Sequence, residues 1–147
     1  LRTRAGLPSE GFAIRTGGAG VSVEGADARG LFYGVGHLLR QLHWAPGRLD
    51  LPAELDVTSA PKFPIRGHQI GFRATANSWD AWTVAQFDQY FRELALFGVN
   101  AIEDIAVGDE SKNPLVKAPK RDMNRAISQL CQRYGLDYWL WSPVTVD

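Results

Sequence analysis

Arg73, Asn77, Trp79, Asp80 and Trp82 fall within one short stretch, RATANSWDAW, and together hold the densest set of ligand-binding side chains in the sequence. A guanidinium offers a planar fork of donors that fits vicinal hydroxyls or a carboxylate, and an indole offers a flat apolar face for a sugar ring. Arg73 could equally pair with Asp80, and Ser78 and Asp80 could be the lead-in to a helix. Glu103 and Asp104 are adjacent, so in a strand they face opposite sides and only one can meet a ligand. Asp109 and Glu110 lie near Lys112. Paired carboxylates are the reagents of general acid/base cleavage, and they are also the ordinary content of a solvated charge cluster. Trp141, Ser142 and Asp147 come late in the chain and could face a pocket, although Trp139 and Trp141 share one side and at least one should be core. The candidate substrate-binding set is therefore Arg73, Asn77, Trp79, Glu103, Asp109 and Trp141.

These residues need elements to position them. Residues 11–16 and 21–25 alternate as two strands joined by a glycine-rich turn, which predicts a β-hairpin. Asp27 is a plausible N-cap for a helix with Leu31, Phe32, Val35, Leu38, Leu39 and Leu42 at helical spacing. Gly30, Gly34 and Gly36 weaken that helix, so its backbone should pack closely on the hairpin's sheet. Pro46, Pro52, Pro61 and Pro64 mark a connecting arm, with a possible short strand within 51–57. The stretch 64–72 then reads as a strand. Thr83 and Gln86 fit a capping box opening a second helix with Val84, Phe87, Tyr90, Phe91, Leu94 and Phe97 as its stripe. Gly98 ends it, and a strand follows at 99–105. Met123, Ala126, Ile127, Leu130 and Tyr134 make a third helical stripe, ended by Gly135 and followed by a strand at 136–141.

Residues 64–142 thus read as β-α-β-α-β with parallel strands. The expected architecture is a small α+β domain (1–60, hairpin plus helix) followed by α/β structure (61–147). The second part is expected to be an incomplete (β/α)8 TIM barrel, its first three strands. A doubly wound sheet competes, but the first βα turn has no G-x-G-x-x-G phosphate cradle. In a barrel, ligands bind at the C-terminal ends of the strands, where all six candidates fall. His68 lies early in its strand and reads as structural.

Composition narrows the function classes. The 147 residues are 45% hydrophobic and 22% charged, which suits a globular chain. Sixteen basic and sixteen acidic residues cancel, removing the electrostatic case for nucleic acid or an acidic membrane surface. No apolar run approaches the roughly 20 residues needed to span a bilayer. A lone Cys131 excludes a cysteine-built zinc site, and His37 and His43 lack metal-ligand spacing, so neither metal nor cofactor is expected. No apolar core follows Leu1-Arg2-Thr3-Arg4, so no signal peptide is expected within these residues. The chain starts without Met and is expected to be cut from a longer one, which leaves a secreted or periplasmic location open.

The run ARGLFYGVGHLLRQL (28–42), with the strands GFAI and VSV before it, resembles the small N-terminal domain of glycoside hydrolase family 20. That domain, of the zincin-like type, carries a "GLFYG…TLLQL"-like helix, and similar domains precede the barrels of families 67 and 84. Pro61-Lys62-Phe63-Pro64-Ile65-Arg66-Gly67 is similar to the "P-x-F-x-x-R-G" start of the catalytic barrel. Gly98-Val99-Asn100-Ala101 is similar to the "K-M-N"-type start of its second strand. The resemblance covers nearly all of residues 10–142. It implies part of a hydrolase that removes terminal sugars from oligo- or polysaccharides, like a β-N-acetylhexosaminidase, by substrate-assisted retention. The alternatives are an α-glucuronidase-like hydrolase or a non-catalytic carbohydrate-binding relative. The family's Asp in the first barrel strand is replaced by Gly71, and Arg73 stands one residue early for the family's sugar-binding Arg. The family's catalytic Asp-Glu pair follows the fourth strand, so catalytic residues are expected beyond residue 147 and this chain alone is expected to be inactive. Its expected partners are a carbohydrate and whatever covers the open sheet edges, either the rest of the barrel or a second chain.

Overall fold

The structure is a computed structural model, and it describes residues 1–18, 20–70, 82–104 and 120–141. The chain divides into two compact units: Leu1–Pro64 with Leu96–Gly98, and Ile65–Ala95 with Val99–Asp147.

In the first unit the strands are β1 (Arg2–Thr3), β2 (Phe12–Gly17), β3 (Gly20–Gly25) and β6 (Asp56–Ser59), in the order β1-β3-β2-β6. β2 pairs antiparallel with both β3 and β6, and β1 lies parallel to β3. Strands β4 (His43–Ala45) and β5 (Arg48–Asp50) form a separate two-stranded hairpin across the start of the stretch the prolines mark as a connecting arm. Gly47, at φ 70, supplies the left-handed backbone of its tight turn. Helix α1 (Ala28–Gln41) starts as its sequence predicts: Asp27 Oδ1 accepts from the Gly30 amide at 2.8 Å. The other Asp27 oxygen accepts from the Glu10 amide at 2.8 Å, tying the helix start to the segment before β2.

The face that α1 buries differs from the leucine stripe. Tyr33 and the glycines at 30, 34 and 36 are its buried residues, while Leu39 is exposed. At Gly34 an added Cβ would stand 2.7 Å from Val23 Cγ1 and 3.1 Å from Phe12 Cβ. The helix axis therefore comes close enough to the sheet that the missing side chains set the spacing. Phe12, Ile14, Val23 and Tyr33 form the core, with Val35, Leu38, Leu55 and Val57 packed at its margin.

The second unit holds β7 (Gly67–Gln69), α2 (Val84–Leu96), β8 (Ala101–Asp104), α3 (Lys120–Tyr134) and β9 (Asp137–Leu140). All three strands are parallel, in the order β7-β8-β9. The Thr83–Gln86 capping box forms reciprocally: Thr83 N donates to Gln86 Oε1 at 2.9 Å, and Gln86 N to Thr83 Oγ1 at 3.4 Å. Gly98 (φ 97) and Gly135 (φ 65) take the left-handed conformation after α2 and α3. Phe87 and Phe91 from α2, Ile70 just after β7, Ile102 of β8, and Ile127 and Cys131 from α3 are the largest fully buried apolar residues described in this unit. Val84 and Phe97, at the ends of the α2 stripe, are exposed instead.

Asn100 ties the strand starts together. Its side chain accepts from the Arg66 amide at 2.8 Å, its own amide donates to the Arg66 carbonyl, and its carbonyl accepts from Asp137 N at 2.8 Å. A buried asparagine thus satisfies backbone groups of both neighbouring strands.

Candidate functional site

Strand register decides which side chains share a face. His68 stands opposite Ile102, and Ile102 opposite Tyr138, so these lie on one side of the sheet with Asp104. Both helices cover that side: the Tyr90 hydroxyl of α2 meets His68 Nε2 at 2.9 Å, and Asn124 of α3 donates to Asp104 Oδ2 at 2.7 Å. The helices also touch each other, Arg133 Nη1 and the Tyr134 hydroxyl each donating to Asp88 Oδ1 at 2.9 Å. On the opposite side, which neither α2 nor α3 covers, the register lines up Gln69, Glu103 and Trp139 across the three strands. Trp141, two residues beyond Trp139, continues that row, its amide donating to the Asp104 carbonyl at 2.9 Å.

This row is the candidate site. It runs along the C-terminal ends of parallel strands, where parallel α/β folds bind ligands. Trp139 is 50% exposed and Trp141 48%, so neither is core and both present indole faces. The expectation that one of them is buried fails: the two helices described in this unit, α2 and α3, pack on the other side of the sheet. Glu103 is half-buried between them and Gln69. A carboxylate and an amide flanked by open indoles can accept from and donate to sugar hydroxyls while the rings stack on a pyranose face.

Asp104 takes the other role. It is fully buried on the helix side and accepts from the Tyr138 hydroxyl at 2.8 Å as well as from Asn124. Burial and then the hydrogen bond to Asp104 push the Tyr138 phenol well above its ordinary range. Cys131 beside them is pushed up to about 12, by burial first and by Asp104 second. A thiol so protonated is inert as a nucleophile. The alternation of Glu103 and Asp104 was legible in the sequence, whereas the partners that assign Asp104 to the helix layer lie 20 and 34 residues away. Arg73, Asn77, Trp79 and Asp109 lie outside the described residues. Among the described residues no group of three His, Cys, Asp or Glu side chains is placed to hold a metal ion, and no helix is long and apolar enough to cross a membrane.

His68 carries a pH dependence. Burial lowers its imidazole below the ordinary range, so the folded chain favours the neutral ring that can accept from Tyr90. The unfolded chain takes up the proton more readily, so stability should be present above the ordinary histidine value of about 6.5 and lost as pH falls through it. His37 shifts in the same direction, by burial and then by Arg40, in the first unit. Thermal melts are expected to show a lower Tm at about pH 5.5 than at about 7.5. The drop should be smaller in His68→Gln. An equal drop in both would remove His68 as a cause.

No protein-family model matches the sequence, and no curated protein matches it. Solved structures do. A glycoside hydrolase family 20 β-N-acetylglucosaminidase matches with a TM-score of 0.69 at 24% identity, over 95% of this chain and 32% of that one. A family 20 exo-β-N-acetylglucosaminidase from Vibrio harveyi, solved with N-acetylglucosamine, gives 0.68 at 12% identity, over 94% of this chain and 26% of that one. A family 138 enzyme targeting pectin rhamnogalacturonan II gives 0.62 at 17% identity, over 97% of this chain and 20% of that one. The chain spans about a third or less of the length of these proteins. It shares its fold with the N-terminal part of glycoside hydrolase family 20 β-N-acetylhexosaminidases.

Proposed function

We propose that this chain is the N-terminal part of a glycoside hydrolase that removes terminal N-acetylhexosamine from oligo- or polysaccharides. The observation that carries the reading is the row Gln69, Glu103, Trp139 and Trp141 at the C-terminal ends of three parallel strands, on the face away from α2 and α3. Consecutive strands lie side by side and helices α2 and α3 lie on one face, which supports reading them as the opening strands of a (β/α)8 barrel. In that barrel the row would point to the interior and the sugar, with further strands covering the free edges of β7 and β9. Arg73, Asn77, Trp79 and Asp109 would belong to the loops above it. The acid/base machinery would come from later strands, so the isolated 147-residue chain would hydrolyse nothing.

The likeness to a pectin-targeting enzyme favours one second reading, a hydrolase of the same architecture acting on acidic sugars. A substrate panel separates the two. The full-length polypeptide carrying this chain is expected to release chromophore from aryl N-acetylhexosaminides. Release from aryl uronides alone would support the second reading, and release from neither would overturn both.

A further inference from the structure

The face of the first sheet turned away from α1 carries a second cluster. Phe12, Ile14 and Val23 point toward the helix, so Ala13, Arg15, Ser22 and Glu24 point the other way. Arg2 and Arg4 join them from β1 and the residues just after it. Together Arg2, Thr3, Arg4, Arg15, Ser22 and Glu24 line an open pocket of about 520 Å³. Glu24 is its buried floor, 5% exposed, accepting from Arg2 Nε at 2.6 Å and from Arg4 Nη1 at 3.1 Å. Arg2 first, and then Arg4, hold the Glu24 carboxyl below the usual carboxylate range against the opposing effect of burial.

Two arginines already satisfy that carboxylate and pin β1 to β3. Arg15 is a third cation beside it. It stands 3.8 Å from Glu24 Oε2, and its Nε meets Asp56 at 3.3 Å, a residue at the rim whose side chain is 76% exposed. Three guanidiniums face two carboxylates, Glu24 on the floor and Asp56 at the rim, and each carries five N–H donors, so the cluster keeps a net positive charge and donor edges for a ligand.

We propose that this pocket binds a single small oxyanion, a carboxylate or sulfate group, seated between Arg15 and the Arg2–Arg4 pair. The group could be free or carried on a sugar. The chain as a whole is neutral, so attraction is confined to the pocket and suits a discrete anion better than an extended polyanion.

The test is titration of the full chain with sodium sulfate, glucuronate or glucose at matched ionic strength, read from the arginine Nε–H resonances. Saturable shifts of Arg2, Arg4 and Arg15 are expected with sulfate and glucuronate and none with glucose. Tighter binding of glucuronate would assign the site to an acidic sugar, and tighter binding of sulfate to a free anion. Arg15→Gln leaves Glu24 paired and should weaken binding about tenfold, the loss of one charge-assisted contact. Arg4→Gln provides a second variant should the first melt early. Linear shifts equal to those in sodium chloride, or unchanged affinity in both folded variants, would overturn the proposal.

Discussion

Asp104→Ala is expected to lower the unfolding free energy of the second unit by about 3 kcal/mol. The carboxylate is fully buried and accepts from Tyr138 and Asn124, which belong to β9 and α3. Removing it returns the cost of burying a charge but takes a short-range acceptor away from the half-buried Tyr138 hydroxyl and the buried Asn124 amide. Each unsatisfied buried donor costs about 1–3 kcal/mol, so the loss prevails. Asp104→Asn keeps one acceptor oxygen and should lose about half as much. Urea unfolding followed by tryptophan fluorescence reads both variants, because Trp139 and Trp141 flank the strand end concerned. An alanine variant as stable as the parent would show that the three residues do not form a working contact between sheet and helix.

Gly30→Ala is expected to be nearly as damaging in the first unit. An added Cβ would stand 2.2 Å from the Gly11 carbonyl oxygen and 3.1 Å from the Glu10 carbonyl carbon. Both are backbone atoms, so no side chain can swing aside and the helix start must move off the sheet. Alanine gains about 1 kcal/mol of helix propensity over glycine, whereas overpacking of this kind costs about 3 kcal/mol or more. The net loss is about 2 kcal/mol or more, and should also weaken the Asp27 cap. Gly17→Ala is the control: nothing lies within 4 Å of its Cβ position, and its stability should stay within about 0.5 kcal/mol of the parent. Equal stability of the two variants by chemical denaturation would contradict the close approach of α1.

Much of this architecture was legible because its signals are local. The hairpin, the Asp27 cap, the Thr83–Gln86 box and the glycines closing α2 and α3 each depend on residues a few positions apart. What escaped was decided at longer range. β1 is two residues long and exists because Arg2 and Thr3 pair with Glu24 and Gly25. The β4–β5 hairpin was hidden among prolines, although Pro46-Gly47 is itself a turn signal. In α1 the close approach to the sheet was legible from Gly30, Gly34 and Gly36, whereas the burial of the individual leucines was not: Leu39 is exposed. The candidate site divides in the same way. Alternation separated Glu103 from Asp104, but only Asn124 and Tyr138 assign Asp104 to the helix layer and so leave Glu103 on the open face. The exposure of both Trp139 and Trp141 goes with α2 and α3 packing on the other side of the sheet, which the local sequence does not encode.

The most direct test of a sugar-binding open face is steady-state hydrolysis of an aryl N-acetylglucosaminide by the full-length polypeptide, with and without Trp141→Ala. Loss of a stacking ring removes binding shared by ground and transition states, so KM should rise about tenfold with kcat little changed. Turnover by the parent with that rise in the variant is the predicted result. Turnover with an unchanged KM in Trp141→Ala would contradict the assignment of this face to the sugar.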